Sequence, residues 1–386
     1  MLDFRKIYNR MNRMRSDIKL PTSLLFVSFK LKSHILSLIS IIILCLSACI
    51  KQPLPPKQTI LPKEDQNDRI LYILNEGLYN ANNATLTKYN MTQQVATTDF
   101  FEIKNNRKLG DTGNDIKQYG AKIYIVLTGS NTLDILSNNG ISIKQISFVN
   151  GSVGRQPRSI TFYENNAYVC SFDGTVAVID TATLAISQYI NVGRNPESIV
   201  SQNDKLYVTN SGGLDAPNYD STVSVIDPIS NTVIKTINIG INPGAICSDD
   251  YGDVYVVSRG DYGSIQSKLY VIEAASDVVK KVFDIEALGI AINKNIAYVH
   301  YYDYGNNTSS IAQLDVEKDS VLNTDYISGS NFNTLYAVAI DPITENIYCS
   351  DANGFVNLGK VLCFDNKGNK LFDFQTGLNP GSLLFH

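Results

Sequence analysis

A tyrosine set inside a short β-branched run recurs seven times along this chain. The runs are Ile70-Leu71-Tyr72-Ile73, Ile123-Tyr124-Ile125, Ala167-Tyr168-Val169, Leu206-Tyr207-Val208, Val254-Tyr255-Val256, Ala297-Tyr298-Val299 and Ile347-Tyr348-Cys349, with successive tyrosines 39 to 52 residues apart. A period of that length means a stack of small supersecondary units, none of which can bury its apolar face alone. The stretch from Gly193 to Gly240 shows what one unit holds. Ser198-Ile199-Val200, Leu206 to Thr209, Thr222 to Ile226 and Val233 to Ile239 read as four short strands, parted by Asn, Asp, Gly, Ser and Pro. Four strands per repeat at this period predict a β-propeller.

Two more features repeat. The third strand returns as Val176 to Asp180, Val223 to Asp227, Leu269 to Glu273 and Val361 to Asp365. The loop into the first strand returns as Gly154-x-x-Pro157, Gly193-x-x-Pro196, Gly240-x-x-Pro243 and Gly377-x-x-Pro380, while Asn331-Phe332-Asn333-Thr334-Leu335-Tyr336 lacks that lead-in. The chain stops on Gly381-Ser382-Leu383-Leu384-Phe385, a first strand with nothing after it, whereas the first repeat starts at a second strand. Each end supplies what the other lacks. We therefore expect an all-β fold, a seven-bladed propeller over residues 69–386, closed by pairing the C-terminal strand with the N-terminal blade. An open solenoid or two stacked sandwiches would leave two sheet edges bare.

The N-terminus has a different character. Arg5 to Lys32 is basic, Ile35 to Leu46 is apolar, and Leu46-Ser47-Ala48-Cys49 follows. This is a secretory signal over residues 1–48, too short in its apolar run for a spanning helix. The last four residues resemble the bacterial lipobox, which implies lipidation of Cys49. Residues 49–68, with Pro53, Pro55, Pro56 and Pro62, read as an extended, disordered tether. Beyond residue 48 the chain carries 25 basic against 35 acidic residues, which argues against nucleic acid or anionic lipid as a partner. Cys170, Cys247, Cys349 and Cys363 fall in apolar strands and read as small core residues. Cys349 and Cys363 lie on neighbouring strands, which leaves a disulfide between them open.

In a four-stranded blade the loops from strand two to three and from strand four to the next strand one share a face. On that face the loops are long and rich in Tyr, Asn and Arg. The candidate ligand-binding residues are Glu76, Tyr79, Asp111, Asp115, Arg155, Arg158, Arg194, Glu197, Tyr219, Arg259, Tyr262, Tyr301, Tyr302 and Tyr304. Such a surface can lie flat on a large ring system while making many hydrogen bonds. Each tyrosine can equally well pack between blades. Catalysis finds little support: His34, His300 and His386 are the only histidines, and a Ser-His-Asp site needs a placed one. A lactonase-type hydrolase would need a divalent metal, held for instance by Glu76, Asp111, Asp115 and Asp351. A cell-surface interaction or adhesion protein would use the same face. We expect no catalytic residue, no metal and no cofactor.

Leu206-Tyr207-Val208-Thr209-Asn210 with Val223-Ser224-Val225-Ile226-Asp227 resembles the YVTN, or YncE-like, propeller repeat. Leu74-Asn75-Glu76-Gly77, Leu109 to Ile116, Gly193-Arg194-Asn195-Pro196-Glu197, Ser258 to Gly263 and Ile347 to Asp351 resemble the seven-bladed DUF5074-type lipoproteins. Some of that group, the BtuG-type proteins, capture cobalamin outside the cell and sit on a TonB-dependent outer-membrane transporter. The resemblance implies a non-enzymatic outer-membrane lipoprotein, at the cell surface rather than the periplasmic side. It implies nutrient capture, with cobalamin (vitamin B12) as transported ligand rather than cofactor, and a TonB-dependent transporter as partner.

Overall fold

The computed structural model describes residues 68–328 and 332–386. The expected signal segment, Cys49 and the tether up to residue 67 lie outside the described residues. Seven four-stranded antiparallel sheets make up the fold. Numbered by their tyrosines, blade 4 is Pro196–Gln202, Lys205–Asn210, Thr222–Asp227 and Thr232–Asn238 from inside outwards; the first three extend beyond the apolar runs, and the fourth starts and ends one residue earlier than its run. The innermost strands of blades 2 to 7 are Gly113–Tyr119, Pro157–Tyr163, Pro196–Gln202, Pro243–Ser248, Gly289–Asn293 and Leu335–Ile340. Each packs on the next, and Pro380–Phe385 packs on both Leu335–Ile340 and Gly113–Tyr119. The ring is therefore closed. Pro380–Phe385 pairs with Ile70–Asn75, Leu71 facing Phe385 and Ile73 facing Leu383, so the tail completes blade 1 as expected.

The core lies between blades. One cluster joins Tyr168, Val176 and Ile190 of blade 3 to Ile199, Leu206 and Val208 of blade 4; another joins blade 5 to blade 6 through Tyr255, Val271, Val299 and Leu314. All seven repeat tyrosines are buried. Three of them explain why tyrosine recurs rather than phenylalanine. Tyr168 donates to Pro228 O, Tyr207 to Asp277 Oδ1, and Tyr255 to Val316 O, each in a turn of the following blade. The ring buries apolar area and the hydroxyl hooks one blade to the next, satisfying a group that would be costly to bury unbonded. Outer strands are largely solvated, as in Thr232–Asn238, where Ile237 is the one buried residue.

Three details differ from or sharpen the expectations. A six-residue helix, Phe100–Asn105, covers blade 1, whose outer strand Val95–Thr97 is only three residues long. Its signal is too short to show a helical period; it is held by burial of Phe100 and Phe101. A two-stranded hairpin, Val149–Asn150 with Val153–Gly154, rises between blades 2 and 3. Cys349 faces Leu362 and Tyr348 faces Cys363, so the two cysteines point to opposite faces of blade 7 and into different core clusters. That one-residue offset rules out a disulfide between them, and both are free thiols. Among the described residues no helix is long and apolar enough to cross a membrane.

Candidate functional site

The lead-in loops build the face on which the long loops stand. In each Gly-x-x-Pro the residue before proline has left-handed backbone: Gln156 (φ 56°), Asn195 (φ 45°), Asn242 (φ 56°) and Asn379 (φ 55°). Asparagine tolerates that region best among residues with a side chain. The glycine answers to close approach instead. A Cβ on Gly193 would stand 2.4 Å from the Asn210 side chain, and one on Gly240 2.3 Å from Ser258 Oγ. Asn195 donates to Phe172 O and accepts from Leu214 N, which ties the lead-in of blade 4 to its long 210–222 loop. Blade 7, without the motif, uses Asp351 for this purpose: its carboxylate accepts from the backbone N–H of Asn333, Thr334 and Asn353.

The residue after each lead-in proline sits at the mouth of the ring. In blades 3 and 4 it is Arg158 and Glu197, and Arg158 donates to Glu197 at 2.6 Å. In blades 5 and 1 it is Gly244 and Gly381, and a charged side chain from the end of the second strand folds into the space. A Cβ on Gly244 would lie 2.3 Å from Arg259 Nε, and one on Gly381 2.6 Å from Glu76 Oε1. Arg259 then reaches Glu197 at 3.2 Å. In blade 7 the position is Tyr336, whose hydroxyl donates to Glu76 at 2.8 Å. Side chains from blades 1, 3, 4, 5 and 7 thus meet near the axis, and Tyr304 of blade 6 stands over Phe355, which abuts Tyr336.

Electrostatics follow from that packing. The side chains of Arg158, Glu197 and Arg259 are 10%, 7% and 13% exposed. Burial opposes the Glu197 charge, yet Arg158 and Arg259 hold its carboxyl down to about 2. Burial also opposes the Arg259 charge, and Glu197 outweighs it, keeping the guanidinium above its ordinary range. Glu76 is raised by burial, against the pull of Tyr336 and Arg158. Two carboxylates and two guanidiniums offset one another, while the rings of Tyr262 and Tyr304 remain 46% and 42% exposed above them. The arrangement can grip carbonyl, amide and hydroxyl groups in its floor and an apolar surface along its wall.

Of the sequence candidates, Glu76, Arg158, Glu197, Arg259, Tyr262 and Tyr304 converge on the mouth. The others do not. Asp111 accepts from the N–H of Asn80 and Asn82 and so holds the 75–84 loop that carries Tyr79. Asp115 accepts from Ser159 Oγ and Ile160 N, joining blade 2 to blade 3. Arg155 pairs with Asp173 and lies over the Tyr189 ring. Arg194 pairs with Asp215 and donates to Asn218 O, bracing the loop that carries Tyr219. Tyr302 is buried and donates to Asn307, while Tyr301 is half-buried toward Glu286. Asp351 is occupied as described, and the four carboxylates considered for a divalent metal do not form a cluster. Among the described residues no three His, Cys, Asp or Glu side chains come close enough to hold a metal ion. His300 is buried against Gly289, and His386 bonds Gln118 at the far end of a blade 2 strand, away from the mouth. Tyr336 and Phe355 belong to the mouth but were not among the candidates. The position of Tyr336, aligned with Arg158 and Glu197, could have revealed it; nothing local marks Phe355.

Fold and site together define a β-propeller whose loop face carries a central polar mouth with an aromatic side. Residues 70–381 match the family described as "Domain of unknown function (DUF5074)", and the chain belongs to it. No functionally curated protein matches the chain in sequence. Among solved structures it is similar to hydrazine synthase of Kuenenia stuttgartiensis, at 16% identity over 70% of this chain and 88% of that one, TM-score 0.57. It is likewise similar to a quinoprotein alcohol dehydrogenase-like protein of Bacteroides thetaiotaomicron VPI-5482, at 15% identity over 82% and 78%, TM-score 0.60. The computationally designed Ika8 protein is similar at 11% identity over 82% and 91%, TM-score 0.54. At these identities the likeness is one of fold, which carries no function with it.

Proposed function

We propose that this protein is a non-enzymatic binder: a lipoprotein anchored through Cys49 at the outer membrane, facing the cell exterior. Its loop face captures cobalamin and delivers it to a TonB-dependent transporter. The observation that supports this reading is the mouth itself. Buried ions paired in advance, framed by exposed tyrosines, give a rigid surface that loses little conformational entropy on binding. Cobalamin suits it, being large, flat in its ring and edged with amides. The lipid anchor and tether would leave the propeller free to reach a transporter beside it.

The soluble propeller should co-elute with cobalamin on gel filtration, giving a red protein peak near one ligand per chain. A colourless peak at micromolar protein would remove cobalamin. Protein isolated from its own membrane should bring a TonB-dependent transporter with it; a matrix or capsule component in that place would favour adhesion instead.

A further inference from the structure

Asn353, Gly354 and Phe355 form three consecutive residues with left-handed backbone, at φ 47°, 78° and 69°. For asparagine and glycine this is ordinary. For phenylalanine it is a genuine outlier, and such strain persists where the surroundings impose it, often at ligand clamps. Here it places the Phe355 ring at the mouth. Tyr304 stacks on it at 6.2 Å and 25°, and Tyr336 meets it edge-on at 5.6 Å and 81°. Tyr302 in turn props Tyr304 at 4.8 Å and 88°. A second aromatic at the mouth, Tyr262, also has left-handed backbone, at φ 58°. Adjoining this wall is the ion cluster, to which Tyr336 is bonded through Glu76 and whose charges cancel among themselves, so no uncompensated charge asks for an ionic ligand.

We infer that Phe355, between Tyr304 and Tyr336, is the specificity-determining centre of an aromatic wall that stacks on a flat, uncharged, conjugated ring of the ligand. The ion cluster takes that ring's carbonyl and amide substituents. The inference rests on the mouth being a ligand site, as proposed above, and not on the ligand being cobalamin. Aromatic stacking of a ring on a protein side chain typically changes affinity by about ten- to a hundredfold when removed.

Three probes separate the possibilities: cyanocobalamin and riboflavin, both with flat conjugated rings, and maltoheptaose, which offers hydroxyls without one. Binding is measured by equilibrium dialysis with wild type, Phe355→Gly, Phe355→Tyr and Tyr304→Leu. Glycine relieves the left-handed backbone, so Phe355→Gly should melt no lower than wild type. It should weaken each flat probe that wild type binds by about ten- to a hundredfold. Tyr304→Leu should do the same, and Phe355→Tyr should stay within about threefold. Riboflavin bound in this Phe355-dependent way, with cobalamin rejected, would uphold the wall and discard cobalamin. Unchanged affinity in Phe355→Gly and Tyr304→Leu would overturn the wall while leaving the mouth a binding site. Binding of maltoheptaose alone would do likewise, and binding of no probe would overturn both.

Discussion

Glu197 lies between Arg158 and Arg259 with almost no solvent around it. Replacing it by glutamine leaves two buried guanidiniums facing each other, a change of the kind that costs about 3–5 kcal/mol. Glu197→Gln should therefore melt well below wild type at pH 7. The difference should depend on acid in a set direction. The folded carboxyl titrates at about 2 against an ordinary 4.5, so folding favours its deprotonated form. That stability is present above about pH 4.5 and is lost as pH falls toward 2. Melting curves of both proteins across that range should converge; parallel curves would contradict the pairing. Arg158 and Glu197 could be read as mouth residues because each follows a lead-in proline. Their mutual bond could not, because it crosses between blades. Phe355 was illegible for a stronger reason: its role depends on a backbone conformation that its own side chain disfavours, and on rings from blades 6 and 7.

Strands and hooks were far more legible than the caps on them. Alternating β-branched residues and a repeated tyrosine mark each blade, because a strand's pattern is local and has period two. The helix Phe100–Asn105 shows no such mark, since its stability is supplied from outside. Phe100 packs by Tyr72 at 5.7 Å and against Gly140, where a Cβ would come within 2.4 Å of the ring. The hooks themselves can be tested. Tyr207 donates to Asp277, which also pairs with Lys205 at 2.6 Å, so blade 4 holds the 274–277 turn of blade 5 at two points. Tyr207→Phe keeps the buried ring and removes one of them. A loss of about 1–2 kcal/mol in urea unfolding is expected, with an unchanged denaturant slope. No loss would mean that the hydroxyl is incidental and that tyrosine recurs for its ring alone.

Closure makes the seven sheets one cooperative object. Deleting Pro380–His386 removes the innermost strand of blade 1 and uncovers Leu71 and Ile73, both fully buried in the intact ring. It also removes contacts with the neighbouring innermost strands on both sides. The melting temperature should fall by roughly 10 °C or more, with a broadened transition; a truncated protein that melts like the intact one would refute closure as the source of cooperativity. The number of blades, the shared strand and the face with long loops were all readable from spacing alone, because a repeat writes its architecture into every copy. What meets across the axis was not. Glu76 and Tyr336 touch although 260 residues separate them, and blades 3, 4 and 5 contribute one side chain each to a single ion cluster. Repetition specifies a ring with equivalent positions, but only bringing those positions round to a common centre determines which charges cancel and which rings stack.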